Sequence, residues 1–367
     1  TITVKFDKTK MTNPGLYTGK LKAYRNDNSN FPEFEMTTSV VIPYSLSFES
    51  NYQLIWNKKE IRPGDIDRYF INIPSGQTSM KISLTRNSNS YSRIRYSLYN
   101  PDGVEVDYSP ILYSVDNETE LEEYYYNLEP GIYELDVIGY FTAEKSSTYD
   151  LSVKLNGINR LDNHCLSESN NTIEIINNTN NVDKFFLCGE LIGYRIIKDV
   201  KLKGKNHFYL PFKLEPGEYS KTFTIDMTKA DFNKLTDFAM MILDKDGVVV
   251  SKEALNQKQG SITIENQGTN EEEYTFELVP AFCHADGEMI MSLTEETEFE
   301  IIESISVTYA GKNSIKLYPN TKAELFVDLA GINPTIPENG KLYGIINFIC
   351  EASDEVVSQI PVSFNLK

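Results

Sequence analysis

Apolar and polar residues alternate with a period of two along most of this chain. Met80, Ile82 and Leu84 alternate with Lys81, Ser83 and Thr85, and Ile94, Tyr96 and Leu98 with Arg95, Ser97 and Tyr99. Tyr133, Leu135 and Val137 continue the pattern, as do Tyr149, Leu151, Val153 and Leu155, then Tyr274, Phe276 and Leu278, and finally Ile360, Val362, Phe364 and Leu366. Such segments are strands with one buried and one wet face, as in antiparallel sheets packed into sandwiches. Only residues 229–238, led by Thr228, read as helix. The expected fold class is all-β: tandem antiparallel β-sandwiches, jelly-roll-like modules flanked by immunoglobulin- or fibronectin-like ones.

Turn chemistry punctuates the strands. Asn100-Pro101-Asp102-Gly103 and Asp244-Lys245-Asp246-Gly247 each separate two strand segments, and Asp-Gly suits the positive φ angles of tight hairpins. Pro63-Gly64, Pro130-Gly131 and Pro216-Gly217 mark further turns. The Asn-rich stretch 167–181 reads as an exposed loop.

The chain also repeats itself. Gly15-Leu16-Tyr17-Thr18-Gly19, followed by Val41-Ile42-Pro43-Tyr44, resembles Lys341-Leu342-Tyr343-Gly344-Ile345, followed by Gln359-Ile360-Pro361-Val362. Both read as closing strands of an immunoglobulin-like sandwich. Leu128-Glu129-Pro130-Gly131-Ile132-Tyr133 recurs as Leu214-Glu215-Pro216-Gly217-Glu218-Tyr219. Four modules are expected: a partial immunoglobulin- or fibronectin-like sandwich over 1–48, a jelly roll over 49–158, a second jelly-roll-like sandwich over 159–300, and a C-terminal immunoglobulin- or fibronectin-like sandwich over 301–367. An opening inside a strand, without Met, leads to the expectation of a piece of a longer protein. The short sheet of 1–48 is then expected to cover its apolar face against the first jelly roll or in a homo-oligomer.

Charge narrows the partners. With 35 basic and 53 acidic residues the chain carries a formal charge of −18, which disfavours nucleic acid and anionic membranes. No apolar run approaches the roughly 20 residues of a membrane span. The compartment is not fixed by the sequence, with a secreted or cell-envelope setting favoured. Cys165, Cys188, Cys283 and Cys350 form no Cys-x-x-Cys pair and read as buried free thiols, Cys165 and Cys188 being the one pair considered for a disulfide. Asp244, Asp246 and Glu253 lack the spacing of an EF-hand, which leaves calcium open only at some other acidic loop. The sequons at Asn117, Asn170 and Asn177 are expected of an Asn-rich composition.

Two sets of motifs carry a family resemblance. Arg62-Pro63-Gly64-Asp65 leading into Arg68-Tyr69-Phe70-Ile71-Asn72-Ile73-Pro74-Ser75-Gly76, with the later Leu128 to Tyr133 segment, resembles the pre-peptidase C-terminal-like jelly rolls downstream of secreted and subtilisin-like proteases. The flanking Gly-x-Tyr and Ile-Pro strands resemble the sandwiches behind the catalytic domain of subtilases of the tripeptidyl peptidase II type. The resemblance covers most of 1–158 and 301–367. It implies a non-catalytic region whose partners are the catalytic domain of the same polypeptide and that domain's peptide or protein substrate.

The residues agree with an absence of chemistry. Gly76-Gln77-Thr78-Ser79-Met80-Lys81 approaches the subtilase Gly-Thr-Ser-Met-Ala-x-Pro motif but has an inserted Gln, a Lys for Ala and no following Pro. Ser79 also sits between strands, not at a helix start. His164, His207 and His284 lack the surroundings of the subtilase base, and Cys283-His284 would point to opposite faces of a strand. No catalytic, cofactor or metal residue is therefore assigned. The leading expectation is an accessory region of a larger serine peptidase. The competing one is a glycan-binding or adhesion module, for which Tyr108, Tyr113 and Tyr124-Tyr125-Tyr126 are the candidate aromatics.

Overall fold

The computed structural model describes residues 3–25, 31–87, 92–113, 119–255, 257–266, 270–281, 288–332 and 334–365. Cys283, His284, Leu366 and the sequon asparagine Asn117 lie outside them. The fold is all-β, with antiparallel sheets throughout apart from one short parallel pair, Tyr44–Ser45 against Ile71 and Asn72.

The alternating segments become strands as far as the described residues reach. One sandwich packs a four-stranded sheet, ordered Glu120–Tyr126, Ser79–Arg86, Ser147–Asn156, Gln53–Ile61, against a six-stranded one containing Ile66–Ile73, Gly131–Gly139, Arg93–Tyr99 and Glu105–Tyr108. Met80, Ile82, Leu84, Tyr96, Leu98, Leu135 and Val153 fill its core. Fully burying such side chains contributes roughly 1.5–3 kcal/mol each. Its buried tyrosines satisfy their hydroxyls in pairs. Tyr69 and Tyr149 meet at 2.7 Å beside Asp67, and Tyr96 and Tyr125 at 2.8 Å beside Glu123. Burial pushes Tyr69 up to about 12.

The two Asx-type turns are built alike. The Asn100 carboxamide oxygen accepts from the amides of Asp102 and Val104, and the Asp244 carboxylate accepts from those of Asp246 and Val248. Gly103 and Gly247 follow at φ +78° and +79°, a region that favours glycine.

The module expected over 159–300 is not continuous. Two 21-residue strands, Asp183–Lys203 and Glu288–Thr308, pair with each other and run through two cores. At one end Phe185, Leu187, Leu191, Ile305 and Val307 pack with Ile158, Ile173, Ile175, Leu325, Phe348 and Ile360. At the other, Val200, Leu202, Met289, Met291 and Leu293 pack with Phe223, Met240, Phe276 and Leu278. Residues 200–293 are thus a sandwich inserted into an immunoglobulin-like one built from 158–194 and 305–364. The boundary expected near 300 falls inside a strand, because the alternation there is interrupted by a bulge and not by a turn. Leu191 pairs with Glu303 and Gly193 with Glu298, so residues 299–302 bulge out and leave Ile301 76% exposed.

Two local expectations are also corrected. The Asn-rich stretch contains a strand, Thr172–Asn177, whose Ile173 and Ile175 are buried. The helix is limited to Lys229–Phe232, capped by the Thr228 hydroxyl accepting from the Asp231 amide, and Phe238 belongs to the core strand Asp237–Asp244.

The N-terminal hairpin, Gly15–Ala23 with Phe34–Ile42, has no buried residue. Leu21 pairs with Met36 and Ala23 with Phe34 on a face where Phe34 remains 51% exposed. Beyond it Tyr44–Ser45 joins the six-stranded sheet and Leu46 enters the first sandwich core, so the boundary lies before residue 44.

The long pair is sensitive at its crossing point. A Cβ on Gly193 would stand 1.8 Å from the Thr297 carbonyl oxygen of the opposite strand. We expect Gly193→Ala to force the two strands apart and to cost roughly 2–4 kcal/mol in urea unfolding; an unchanged midpoint would show that the crossing is not close-packed.

Candidate functional site: the joints between modules

Contacts between the three sandwiches concentrate at two joints, with a further ion pair from Lys258 to Asp102 at 2.9 Å between the first sandwich and the inserted one. The first lies where the sheet edge of the jelly roll meets the strand Val356–Phe364. Tyr124 and Tyr126 alternate on one face of Glu120–Tyr126, which stacks their rings 6.1 Å apart at 6°. The Tyr124 hydroxyl donates to Glu355 at 2.9 Å and that of Tyr126 to the Val356 carbonyl at 2.7 Å. Lys81 bridges Glu122 and Glu355 at 2.8 and 3.1 Å. Burial works against the Lys81 charge, but Glu122 and Glu355 outweigh it and its pKa is raised. Burial likewise raises Glu355, yet hydrogen bonds from Lys81 and Tyr124 leave it below its ordinary value.

Ser79, the near-match to a nucleophile, belongs to this joint. It is fully buried, and its hydroxyl donates to the Val357 carbonyl at 2.6 Å. A serine hydroxyl spent on a backbone carbonyl within a strand is a packing element.

The second joint is the waist of the long strand pair. There the inward positions pass from one apolar core to the next, and the residues between them are polar. Lys221 is buried between Glu295 at 3.2 Å and Glu218 at 3.8 Å. Tyr194 donates its hydroxyl to Glu218 at 2.6 Å, and burial followed by this bond raises its pKa. The Lys221 ammonium also lies over the rings of Tyr194 and Phe212.

The histidines occupy unrelated places. His164 Nδ1 faces Asp162 at 3.1 Å, and Arg160 donates to the same carboxylate. His207 Nδ1 meets Glu277 at 2.7 Å beside the Tyr209 hydroxyl. Neither pair includes a serine or a thiol. Cys165, Cys188 and Cys350 are free, and Cys165 is exposed, against the expectation of buried thiols. Among the described residues no cluster of three or more His, Cys, Asp or Glu could hold a metal ion, and no helix is long and apolar enough to cross a membrane. The aromatic run divides by alternation: Tyr125 serves the core, while Tyr124 and Tyr126 serve the joint. Of the glycan candidates, Tyr108 and Tyr113 remain outside both. The sequence contained these joint residues, but the first joint's partners on 355–358 lie more than 200 positions from Ser79, Lys81, Tyr124 and Tyr126, and Glu295 lies 74 from Lys221, so neither joint carries a local signal.

No family model and no curated protein matches the chain. Among solved structures, that of tripeptidyl peptidase 2 matches at a TM-score of 0.60 with 13% identity, over 97% of this chain and 33% of that one. The chain has the fold of that part of a peptidase. It spans about a third of the length of the structure it matches. The M60 catalytic domain with CBM51 domains from Clostridium perfringens, at 8% identity, covers 78% of this chain and 41% of its own with a TM-score of 0.21. A CBM22 tandem from Paenibacillus barcinonensis Xyn10C, at 7% identity, covers 77% and 91% with a TM-score of 0.20. Those two scores are too low to compare folds.

Both joints make testable claims. Lys221→Ala removes the buried cation between two carboxylates, leaving Glu218 with only the Tyr194 hydroxyl and the Glu215 amide and Glu295 with the more distant Lys198, and is expected to cost about 3 kcal/mol in chemical denaturation. The triple change Lys221→Met, Glu218→Gln, Glu295→Gln should recover most of that loss. Glu355→Ala, in a half-exposed joint, is expected to cost only about 1 kcal/mol. Equal losses for the two single variants would contradict the assignment of the waist as the tighter joint.

Proposed function

We propose that this chain is a non-catalytic accessory region of a larger subtilisin-like serine peptidase. Its role is to support the catalytic domain, to position the peptide or protein substrate, or to serve assembly. The observation that carries this reading is the likeness to the tripeptidyl peptidase 2 structure along nearly the whole chain, which takes in every module and not one sandwich alone. The fate of the candidate chemistry supports it. Ser79 is committed to Val357, and the ring nitrogens of His164 and His207 meet the carboxylates of Asp162 and Glu277 and not a serine.

A fluorophosphonate probe is expected to leave the chain unlabelled, and tripeptide and casein substrates to stay intact; labelling at Ser79 would overturn the non-catalytic part. The accessory part is tested by reading the complete coding frame around these residues. A Gly-Thr-Ser-Met segment with its histidine and aspartate partners on the same polypeptide is the expected result. A frame of adhesin repeats would contradict it.

A further inference from the structure

The outer face of the six-stranded sheet in the first sandwich carries exposed aromatic rings among its charged and polar residues. Its rows follow from the strand register. Arg68, Asp136, Ser97 and Tyr108 stand side by side across four strands. Glu134 and Tyr99 flank them on one side, and Ile138 and Arg95 on the other. Arg95 lies between the rings of Tyr108 and Tyr140, at 5.5 and 5.9 Å. Tyr140 packs on Phe141 at 4.9 Å. Tyr108 is 61% and Phe141 74% exposed, so the aromatic surface faces solvent.

At the centre of this face lies a buried acid, Asp136, that shares a hydrogen bond with Glu134 and has one oxygen left over. Asp136 is only 6% exposed, yet its Oδ1 has no hydrogen-bond partner. Arg68 pairs with Glu134 at 3.3 Å instead. Arg95 Nε beside it is also buried without a partner. Burial, and then the negative charge of Glu134, hold the Asp136 carboxyl up at about 7 despite Arg68. A buried polar atom without a partner is costly, and where one persists a ligand group is a natural complement.

We propose that this face binds a glycan, with sugar hydroxyls bonded to Asp136 and the C–H face of a sugar ring packed on Tyr108. The chemistry of the face selects this ligand class. Asp136 and Ser97 lie on interior strands whose backbone groups are already paired, so a peptide adding as a strand at the Glu105–Tyr108 edge would not reach them. A ligand must instead use side chains alone, and a saccharide offers dense hydroxyls and flat apolar ring faces to a buried carboxylate and an aromatic ring. Asp136 and Tyr108 are two strand spacings apart, about 10 Å, which is the span of about two sugar rings. The proposal goes beyond the accessory reading and stands whether or not a peptidase domain shares the polypeptide.

The test is isothermal titration of the full chain with maltohexaose, cellohexaose, xylohexaose and mannohexaose. Binding of at least one is expected. Tyr108→Ala, at an exposed position, should weaken it ten-fold or more. Asp136→Ala, with an unchanged circular dichroism spectrum as the check on its fold, should do the same. Tyr309→Ala, at an exposed tyrosine of the C-terminal module, should leave it unchanged. Absence of binding to all four sugars overturns the proposal, as does binding that survives loss of Tyr108 and Asp136.

Discussion

The pairing of Asp183–Lys203 with Glu288–Thr308 is the constraint on which the rest of the structure depends. A backbone ladder cannot bend freely, so two cores that share one pair of strands are held in a fixed relation. The chain achieves this with one bulge, at Leu191 and Gly193 opposite residues 299–302, and one buried charge cluster around Lys221. The bulge adds twist where the apolar face must turn from one core to the other. The charge cluster occupies the step between them, where neither core can supply an apolar partner.

The jelly roll is attached differently. Its joint uses side chains of Ser79, Lys81, Tyr124, Tyr126 and Asn156 on residues 355–358, together with bonds of Gln77 and Thr78 to the carbonyls of Asn178 and Ile158. This joint is half-exposed and is made by side chains, not by a continuous backbone ladder, so it is the softer of the two. A fold built in this way has many of its buried polar residues engaged in joining modules. The outer face around Asp136 is the exception, since its buried acid serves neither core nor joint.

Much of the fold was legible in the sequence because a sheet with one wet face writes its period directly into the chain. Met80, Ile82 and Leu84, or Tyr149 to Leu155, needed no more than alternation to be placed. Turn residues were equally readable, because Asn100 and Asp244 cap their own turns through local bonds. What could not be read was any feature set by distant partners. Residues 299–302 carry apolar side chains that are exposed in a bulge, and nothing local distinguishes them from a strand end. Ile173 and Ile175 form a core strand hidden by surrounding asparagines. Phe238 looked like the end of a helix until the core strand claimed it. The joints belong to the same class, since Tyr124 gains its role only from Glu355.

Hydrogen exchange across the waist of the long strands tests the central claim most directly. If the shared ladder makes the two sandwiches one body, amides of 193–198 and 293–298 will exchange as slowly as those in the cores on either side. Rapid exchange at the waist while both cores stay protected would show two sandwiches on a flexible hinge, and would contradict this account.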